Sequence, residues 1–241
     1  MLDSTYRRAL ITGASSGIGK ATALALAKAN IPLALVGRSK ERLVAVVEAT
    51  RAIGVDARFY CIDLDKVEQV KSAIHGIVND CGPVDLLINS AGMGYTGELM
   101  DTPLSDWQRV LELNLTSVFQ VLQAVIPSMR ELNQGLIVNV ASIAGRQSFP
   151  GWGAYSVSKA GLIALSKTIT VEERGNGIRS VIVCPGAVNT PIWDTETVQS
   201  DFDRSGMLSP ETVAQTILHA VSLPSYAVIE DITIMPSAGA L

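Results

Sequence analysis

Short apolar runs alternate with longer amphipathic stretches along the whole chain. The apolar runs are rich in Val, Ile and Leu and contain few polar residues, which is typical of strands covered by helices on both faces. They lie at 9–12, 33–36, 57–61, 86–89, 136–140, 181–184 and 232–235, and helices are predicted between them at 18–29, 40–53, 67–78, 105–132, 154–174 and 210–221. This alternation predicts one α/β domain over residues 1–241, a Rossmann-like doubly wound fold with a seven-stranded parallel sheet flanked by helices.

Composition and charge argue against several classes of protein. The 241 residues are 48% hydrophobic, and 19 Lys and Arg against 23 Asp and Glu give a net charge of -4 without a basic patch for nucleic acid or a membrane surface. The chain opens without a signal-peptide pattern, and no apolar run approaches the roughly 20 residues that cross a bilayer. The widely spaced Cys61, Cys81 and Cys184 show neither a disulfide framework nor a metal pattern. We therefore expect a soluble, cytoplasmic protein with reduced thiols.

A glycine-rich turn follows the first predicted strand. Residues 12–19 read TGASSGIG and lead directly into a helix. Glycines at this point allow a sharp turn and close approach to a pyrophosphate, and the helix N-terminus offers unpaired N–H groups to phosphates. The spacing G-x-x-x-G-x-G departs from the commoner G-x-G-x-x-G pattern. Its place between a first strand and a first helix favours a dinucleotide site over a purely structural turn.

The end of the second predicted strand indicates which dinucleotide is bound. NAD enzymes usually carry Asp or Glu there for the ribose hydroxyls, whereas NADP enzymes place Arg near the 2′-phosphate. This chain has Arg38 at that position with Lys40 nearby, and Glu41 is expected in the first turn of the next helix. Arg38 as a solvated surface charge is the alternative. Because a guanidinium can bind a phosphate through two hydrogen bonds, the sequence favours NADP(H).

A Tyr and a Lys stand four residues apart at the start of the fifth predicted helix. Residues 155–159 read YSVSK, and residues four apart share a helix face, so Tyr155 and Lys159 are predicted to enter the same space. A nearby ammonium favours tyrosinate and is expected to lower the Tyr155 pKa toward neutrality. Ser142 follows the predicted strand 136–140 and places a hydroxyl at a carboxyl strand end. Together these residues indicate acid–base chemistry on an oxygen atom.

With these motifs the chain resembles the classical short-chain dehydrogenases/reductases. The resemblance runs from the 12–19 turn through the Tyr155 and Lys159 pair to residues 185–190, PGAVNT, in the family's order and spacing. It implies that Tyr155 is the general acid in carbonyl reduction and the base in alcohol oxidation. It also implies that Lys159 lowers the Tyr155 pKa and binds the nicotinamide ribose, and that Ser142 bonds the substrate oxygen.

The resemblance extends to further site residues. Asn114 matches a helix asparagine that holds a water in the proton relay, Asp63 a residue that contacts adenine, and Thr190 a residue that bonds the nicotinamide carboxamide. At 89–92 the chain reads NSAG where the family usually has NNAG, so a supporting bond at Ser90 is in doubt. The catalytic set implied is Asn114, Ser142, Tyr155 and Lys159, and the cofactor set is Gly13, Ser15, Ser16, Gly17, Ile18, Gly19, Arg38, Asp63, Leu64, Asn89, Ala91, Gly92, Tyr155, Lys159, Pro185, Gly186, Val188 and Thr190.

Several of these residues also have a structural interpretation. Ser142 as a loop cap, Asn114 as a partner for backbone in a bent helix and Tyr155 as a half-buried aromatic are each plausible alone. Their joint occurrence with the glycine turn favours catalysis. His75 and His219 lie within apolar helix patterns without a ligand cluster, so no metal site is predicted.

Residues 191–208 form a polar stretch that is predicted to act as a substrate lid. Its apolar Trp193, Phe202 and Met207 are expected either to line a hydrophobic pocket or to anchor the loop, with a slight preference for the pocket. Arg146 follows Ser142 closely and is left open between binding a substrate anion and lying in solvent.

The sequence favours a small carbonyl or 3-hydroxy acid as the substrate. The alternative is a 3-oxoacyl-[acyl-carrier-protein] reductase. The acidic lid and the absence of an Asp-Gly-Gly ending argue against it. A non-catalytic NADP-sensing protein is the rival from another class. Apolar residues on the helices 105–132 and 154–174 predict a homodimer or homotetramer.

Overall fold

Seven parallel strands form the sheet that the sequence predicts. The computed structural model describes Tyr6, residues 8–199 and residues 203–239. The strands are β1 (Ala9–Thr12), β2 (Leu33–Gly37), β3 (Ala57–Cys61), β4 (Leu86–Asn89), β5 (Gly135–Val140), β6 (Ile178–Pro185) and β7 (Asp231–Ile234). Their order across the sheet is β3-β2-β1-β4-β5-β6-β7, which confirms the doubly wound, Rossmann-like fold.

Alternate side chains of the central strands enter two separate cores. In β1, Ala9 and Ile11 pack in one core and Leu10 packs in the other. In β4, Ile88 packs in the core that holds Ile11 and Leu87 packs in the core that holds Leu10. Because successive side chains of a strand point to opposite faces, a sheet covered on both sides needs apolar residues at every position. This explains the uninterrupted apolar runs of the sequence.

The helices cover the two faces of the sheet in two groups. They are α1 (Gly17–Lys28), α2 (Lys40–Ala52), α3 (Val67–Cys81), α4 (Leu104–Leu111), α5 (Ser117–Leu132), α6 (Gly153–Glu173) and α7 (Pro210–Val221). α1, α2 and α7 contribute to the core that holds Ile11, while α3, α5 and α6 contribute to the core that holds Leu10. Ser39 and Ser209 cap α2 and α7, since their hydroxyls accept hydrogen bonds from the backbone N–H groups of Arg42 and Thr212.

The predicted helix over 105–132 is interrupted, which corrects the sequence analysis. A π turn, Glu112–Thr116, separates α4 from α5, so the helix takes one extra residue per hydrogen-bonded ring there. Asn114 lies in this turn and is fully buried, with its amide bonded to the backbone of Met93. The contact of Asn114 with the distant loop at Met93 favours the wider turn. The helical periodicity of the sequence does not reveal this contact.

One helical stretch is long and apolar enough to cross a membrane by length and composition. Among the described residues it is Leu104–Leu132, with a mean hydropathy of 1.3 in its most apolar window, although charged residues interrupt it and it is not a continuous apolar run. Half of that window is buried inside the structure, where Val118, Val121 and Val125 pack against the sheet. Its apolar residues therefore serve the core, and a core helix passes the same test as a membrane helix.

The chain changes direction across the sheet between β1 and β4. Thr12 at the end of β1 lies opposite Asn89 at the end of β4. α1 follows β1 onto one face, whereas the helices after β4 pack on the other. The connections diverge at this point and leave a crevice above the carboxyl ends of the strands, which is where doubly wound proteins bind ligands.

Candidate active site

Two adjoining cavities occupy the crevice above the carboxyl ends of the strands. One of about 390 Å³ lies over β5 and β6, and one of about 370 Å³ lies over β1 and β2. Ile18, Gly92 and Thr190 line both, so the two form one continuous site. We call the first the reaction cavity and the second the glycine-turn cavity.

The turn between β1 and α1 shapes the glycine-turn cavity. Gly13 has a φ of 67°, and a Cβ there would lie 2.8 Å from the backbone of Ala91. A Cβ on Gly19 would lie 2.3 Å from the Gly13 carbonyl oxygen, so α1 packs directly on the turn. Ser16 caps α1 with extended backbone and no side-chain capping bond, and the first turn holds no acidic residue. Its backbone N–H groups thus suit an anionic ligand.

Most of the residues expected around a dinucleotide line this part of the site. Those in the glycine-turn cavity are Gly13, Ser15, Ser16, Gly17, Ile18, Arg38, Leu64, Ala91, Gly92 and Thr190. Asp63 and Gly19 are not among the lining residues; Asp63 uses its carboxylate to accept a hydrogen bond from the Asp65 N–H at 3.2 Å. Arg42, which the sequence analysis did not select, lines the cavity beside Arg38.

Arg38 lies at the rim of the glycine-turn cavity, as its strand-end position predicts. Its side chain is 63% exposed, and Nη1 lies 3.3 Å from Oδ2 of Asp65, an oxygen that also accepts from Arg109 Nη2 at 3.3 Å. Glu41 is in the first turn of α2, as expected, and its carboxylate accepts from the Ser39 hydroxyl. The guanidinium is therefore held near the cavity but remains accessible to a ligand.

Asn89 and Thr12 lie behind the cavity wall. Asn89 is buried and donates from Nδ2 to Asn139 Oδ1 at 2.8 Å. The Thr12 hydroxyl accepts from the N–H groups of Ser90 and Ala91, each at 3.2 Å. These bonds fix the loop after β4 against the glycine turn. Thr12 was missed from the sequence, although its place at the end of β1 was a usable signal.

Asn114 also lies behind the wall. Its Oδ1 accepts from the Met93 N–H at 2.8 Å, and its Nδ2 donates to the Met93 carbonyl and to Ser158 Oγ, both at 3.0 Å. The Asn114 carboxamide lies beside Gly92, close to the ammonium of Lys159. The structure thus gives it the role of joining the π turn to the cavity loop, which agrees with the structural interpretation named above.

Ser142, Tyr155 and Lys159 meet in the reaction cavity. Tyr155 and Lys159 are one turn apart on α6, and all three line the cavity. The Lys159 ammonium is 5.7 Å from the centroid of the Tyr155 ring and donates to the Val140 carbonyl at 3.0 Å. The juxtaposition predicted from the four-residue spacing is therefore present.

The electrostatics of this trio differ from the prediction. Burial raises the pKa of the Tyr155 phenol above its ordinary value, while a hydrogen bond with Ser142 opposes that effect. Burial also lowers the pKa of the Lys159 ammonium to about 8. The Tyr155 pKa is thus raised, with desolvation as the largest cause, where the sequence analysis expected Lys159 to lower it. A raised pKa favours the neutral phenol, which is the form that can give a proton.

Ser142 has a structural as well as a chemical role. Its Oγ accepts from the Ala144 N–H at 3.1 Å and caps the short turn Ile143–Gly145. A Cβ on Gly145 would lie 2.8 Å from the backbone of Lys159, so this turn packs directly on α6. The cap and the close packing together hold the Ser142 hydroxyl beside Tyr155.

Arg146 has neither of the roles that the sequence left open. It forms an ion pair with Asp231 at the start of β7, and both side chains are about one-third exposed. It does not line the reaction cavity. The pair joins the turn after Ser142 to the edge strand of the sheet.

The segment 185–190 and the start of the predicted lid form one wall of the reaction cavity. The expected Pro185, Gly186, Val188 and Thr190 line it. Trp193 lines it as well and donates from Nε1 to the Val188 carbonyl at 2.8 Å. Met207 does not line it, and Phe202 lies outside the described residues.

An apolar wall of the reaction cavity was missed from the sequence. Its side chains come from the three connections after β4, β5 and β6 and are Met93, Ile143, Phe149, Pro150, Trp152 and Ile192. Trp152 packs edge to face with both Tyr155 and Trp193, with ring centroids 5.4 and 5.7 Å apart. The aromatic residues between Ser142 and Tyr155 were the one local signal for it.

A metal site needs several His, Cys, Asp or Glu side chains close together. Over the described ranges, 8–199 and 203–239 with Tyr6, no three His, Cys, Asp or Glu side chains gather as a site would require. His75 and His219 lie on α3 and α7.

Comparison with known proteins places the chain among oxidoreductases. The family model described as short chain dehydrogenase matches residues 7–201. A 3-oxoacyl-acyl-carrier-protein reductase from Thermotoga maritima is 36% identical over 219 residues, which is 88% of this chain and 89% of that protein. The glycine betaine reductase ATRR of Emericella nidulans is 33% identical over 95% of this chain, but the match spans only 18% of that much longer protein.

A solved structure agrees with the fold over nearly the whole length. It is an alcohol dehydrogenase from the archaeon Thermococcus sibiricus, complexed with 5-hydroxy-NADP. The two superpose with a TM-score of 0.87 at 29% sequence identity, covering 96% of this chain and 97% of the other.

Proposed function

The chain belongs to the short-chain dehydrogenase/reductase family, and from that premise we propose that it is an NADP-dependent oxidoreductase. It interconverts a carbonyl compound and a secondary alcohol by hydride transfer. The observation that carries the proposal is that Ser142, Tyr155 and Lys159 line one cavity that is continuous with the glycine turn. Acid–base groups and a dinucleotide cradle thus share a single crevice.

The chemistry of the glycine-turn cavity fits NADP(H). The N-terminus of α1 supplies N–H groups for the pyrophosphate, and Gly13 leaves room for close approach. Arg38 and Arg42 at the rim supply cations for a 2′-phosphate, and the relative from Thermococcus sibiricus was solved with an NADP derivative. When bound, the nicotinamide supplies or accepts the hydride.

Ser142, Tyr155 and Lys159 have separate roles in the reaction. Tyr155 donates its phenolic proton to the carbonyl oxygen during reduction and takes a proton from the alcohol during oxidation. Ser142 hydrogen-bonds the same oxygen and stabilises the charge that develops on it. The Lys159 ammonium, held by Val140, stabilises the tyrosinate left after proton transfer. Asn114 positions the loop at Met93, and its place in the proton relay, which the family resemblance implies, stays a prediction.

The proposal is tested by following NADPH and NADH oxidation with a panel of ketones, aldehydes and 3-oxo thioesters. We expect NADPH oxidation with at least one carbonyl compound and the matching alcohol as the product. Binding of NADPH without turnover of any carbonyl would instead favour the cofactor-sensing alternative.

A second candidate is a 3-oxoacyl-[acyl-carrier-protein] reductase. The observation that favours it is the 36% identity to the reductase of Thermotoga maritima over most of both chains. It requires a carrier protein to dock at the mouth of the reaction cavity. Turnover of an acyl-carrier-protein thioester well above that of the free ketone would support it.

Subunit assembly and location stay predictions. Phe119 on α5 and Val171 on α6 are exposed apolar side chains, in keeping with the expected homodimer or homotetramer. Light scattering at dilute protein concentration measures the assembly state directly. A cytoplasmic location rests on the sequence and on the family.

A further inference from the structure

The reaction cavity is mostly apolar, and besides Ser142, Tyr155 and Lys159 the polar residues that line it are Ser90 and Thr190. Together with Trp193, the apolar wall described above supplies Met93, Ile143, Phe149, Trp152 and Ile192. Its volume of about 390 Å³ is near the small end for ligand sites, and the nicotinamide takes part of it. The remaining volume suits one compact apolar group of the substrate.

Two indole rings give this wall a defined shape. Trp152 packs edge to face against Tyr155 on one side and against Trp193 on the other. An aromatic group placed next to the Tyr155 hydroxyl meets ring edges and faces at the usual packing distances. The aromatic surface thus begins at the reacting oxygen.

Hydrogen bonds between the loops hold the two indoles in place. The Gly97 N–H donates to the Gly151 carbonyl at 2.8 Å, next to Trp152. The Thr96 N–H donates to the Thr197 carbonyl at 2.9 Å, and Thr197 Oγ1 donates to the Gly94 carbonyl at 2.8 Å, which ties down the loop of Trp193. The wall is therefore preorganised, and binding loses little loop entropy.

The cationic side chains that could bind an anionic substrate already have other partners. Lys159 is the one charged residue among the described side chains that line the cavity, and its ammonium is bound to Val140. Arg146 is paired with Asp231, and Arg204 is paired with Asp194. Away from the catalytic groups, a carboxylate or phosphate in this cavity loses its hydration without gaining a cationic partner.

From these observations, and resting on the proposed function, we propose that the substrate is a neutral ketone that carries an aromatic ring. The ring packs against Trp152 and Trp193, and the carbonyl oxygen lies between Ser142 and Tyr155. In the reduction, the carbonyl carbon gains a hydride from NADPH and the oxygen takes the Tyr155 proton. The C=O π bond is lost, a secondary alcohol and NADP⁺ are formed, and solvent returns one proton to Tyr155. Trp152 and Trp193 are the specificity-determining residues.

The test compares four carbonyl probes: acetophenone, butan-2-one, acetoacetate and acetoacetyl-CoA. We expect kcat/KM for acetophenone to exceed that for butan-2-one by about tenfold or more, with both anionic probes lower still. In Trp152→Leu the acetophenone to butan-2-one ratio falls by about tenfold, because the aromatic contact is lost. Trp193→Leu changes the same wall from the loop that carries Trp193. The comparison can therefore still be made if one of the two variants folds poorly.

Trp107→Leu is the matched control. Trp107 is a half-buried tryptophan on α4 and does not line the reaction cavity, so its replacement leaves the ratio unchanged. Calorimetric titration of acetophenone into the enzyme with NADP⁺ gives a readout without turnover, because neither compound can supply a hydride. There we expect Kd to rise about tenfold in Trp152→Leu and to stay constant in Trp107→Leu.

The outcomes separate this inference from the proposed function. A preference for acetoacetyl-CoA that Trp152→Leu and Trp193→Leu leave intact overturns the aromatic substrate and keeps the oxidoreductase. If every carbonyl in the wider panel fails while NADPH binds, the oxidoreductase itself is overturned.

Discussion

The Lys159 ammonium donates to the Val140 carbonyl at 3.0 Å and lies 5.7 Å from the centroid of the Tyr155 ring. The cation is thus fixed by the carboxyl end of β5 and acts on the phenol across a short gap. This position favours stabilisation of the tyrosinate during the reaction over ionisation of the phenol beforehand. Its effect on activity is expected to depend on the charge of Lys159.

The pH dependence of carbonyl reduction follows from that arrangement. Because burial lowers the pKa of Lys159 to about 8, the ammonium is present below that pH and is lost above it. Burial raises the pKa of Tyr155, so the phenol keeps its proton over the same range. We expect kcat/KM for reduction to fall as the pH rises through about 8. In Lys159→Arg the guanidinium stays charged, so the remaining activity lacks this fall. The same inflection in the variant would assign it to another group.

Coenzyme preference depends on Arg38. Arg38→Leu removes a charge-assisted contact to the 2′-phosphate, which is worth about 1.5–3 kcal/mol, so KM for NADPH rises about 10- to 100-fold. KM for NADH changes little, since NADH has no such phosphate. Lys40→Leu is the control, because Lys40 is exposed and does not line the cavity. Equal losses with both coenzymes would contradict the phosphate role.

Asn114 is expected to matter for stability as well as for turnover. Asn114→Ala removes the partner of the part-buried N–H and carbonyl of Met93, which costs about 1–3 kcal/mol in the free energy of unfolding. Urea denaturation measures this loss. Gln123→Ala on the exposed side of α5 is the control and is expected to change stability by less than about 0.5 kcal/mol. An equal effect of both variants would remove Asn114 from its bridging role.

A buried carboxylate joins the C-terminal ends of α5 and α6. Glu173 is 4% exposed and accepts from Arg130 and Asn176, and the hydrogen bond from Arg130 lowers its pKa. A carboxylate with a lowered folded-state pKa stabilises the protein above the ordinary Glu pKa and loses that effect as pH falls through the folded value. Since Arg130 is half exposed, solvent screening limits the effect to about 1–2 kcal/mol.

The measurement is the stability of Glu173→Gln against the wild type as a function of pH. We expect the difference to be largest at neutral pH and to shrink under acid. The neighbouring Glu172→Gln is exposed and serves as control, with little difference at either pH. A difference for Glu173→Gln that does not vary with pH would show that the charge of Glu173 is not what stabilises the helix ends.

The strands and the glycine turn could be predicted because their physical cause is local. A strand buried on both faces needs consecutive apolar residues, and the approach of Gly13 to Ala91 needs a glycine. The pairing of Tyr155 with Lys159 also follows from helical spacing alone. In each instance neighbouring residues in the sequence settle the geometry.

What could not be predicted depends on contacts between distant segments. Arg146 and Asp231 are 85 residues apart, so their ion pair leaves no local pattern. The π turn at Asn114 forms where that side chain meets Met93, and helical periodicity does not report it. The raised pKa of Tyr155 reflects burial by several loops, which the spacing of Tyr155 and Lys159 does not reveal.

The central claim is that the Tyr155 hydroxyl exchanges a proton with the substrate oxygen, and Tyr155→Phe tests it most directly. The variant keeps the ring that packs on Trp152 and loses only the hydroxyl. We expect kcat with NADPH and a ketone that the wild type reduces to fall by about 100-fold or more, while the Kd for NADPH in a calorimetric titration stays within about threefold. Retained turnover in Tyr155→Phe would contradict the account.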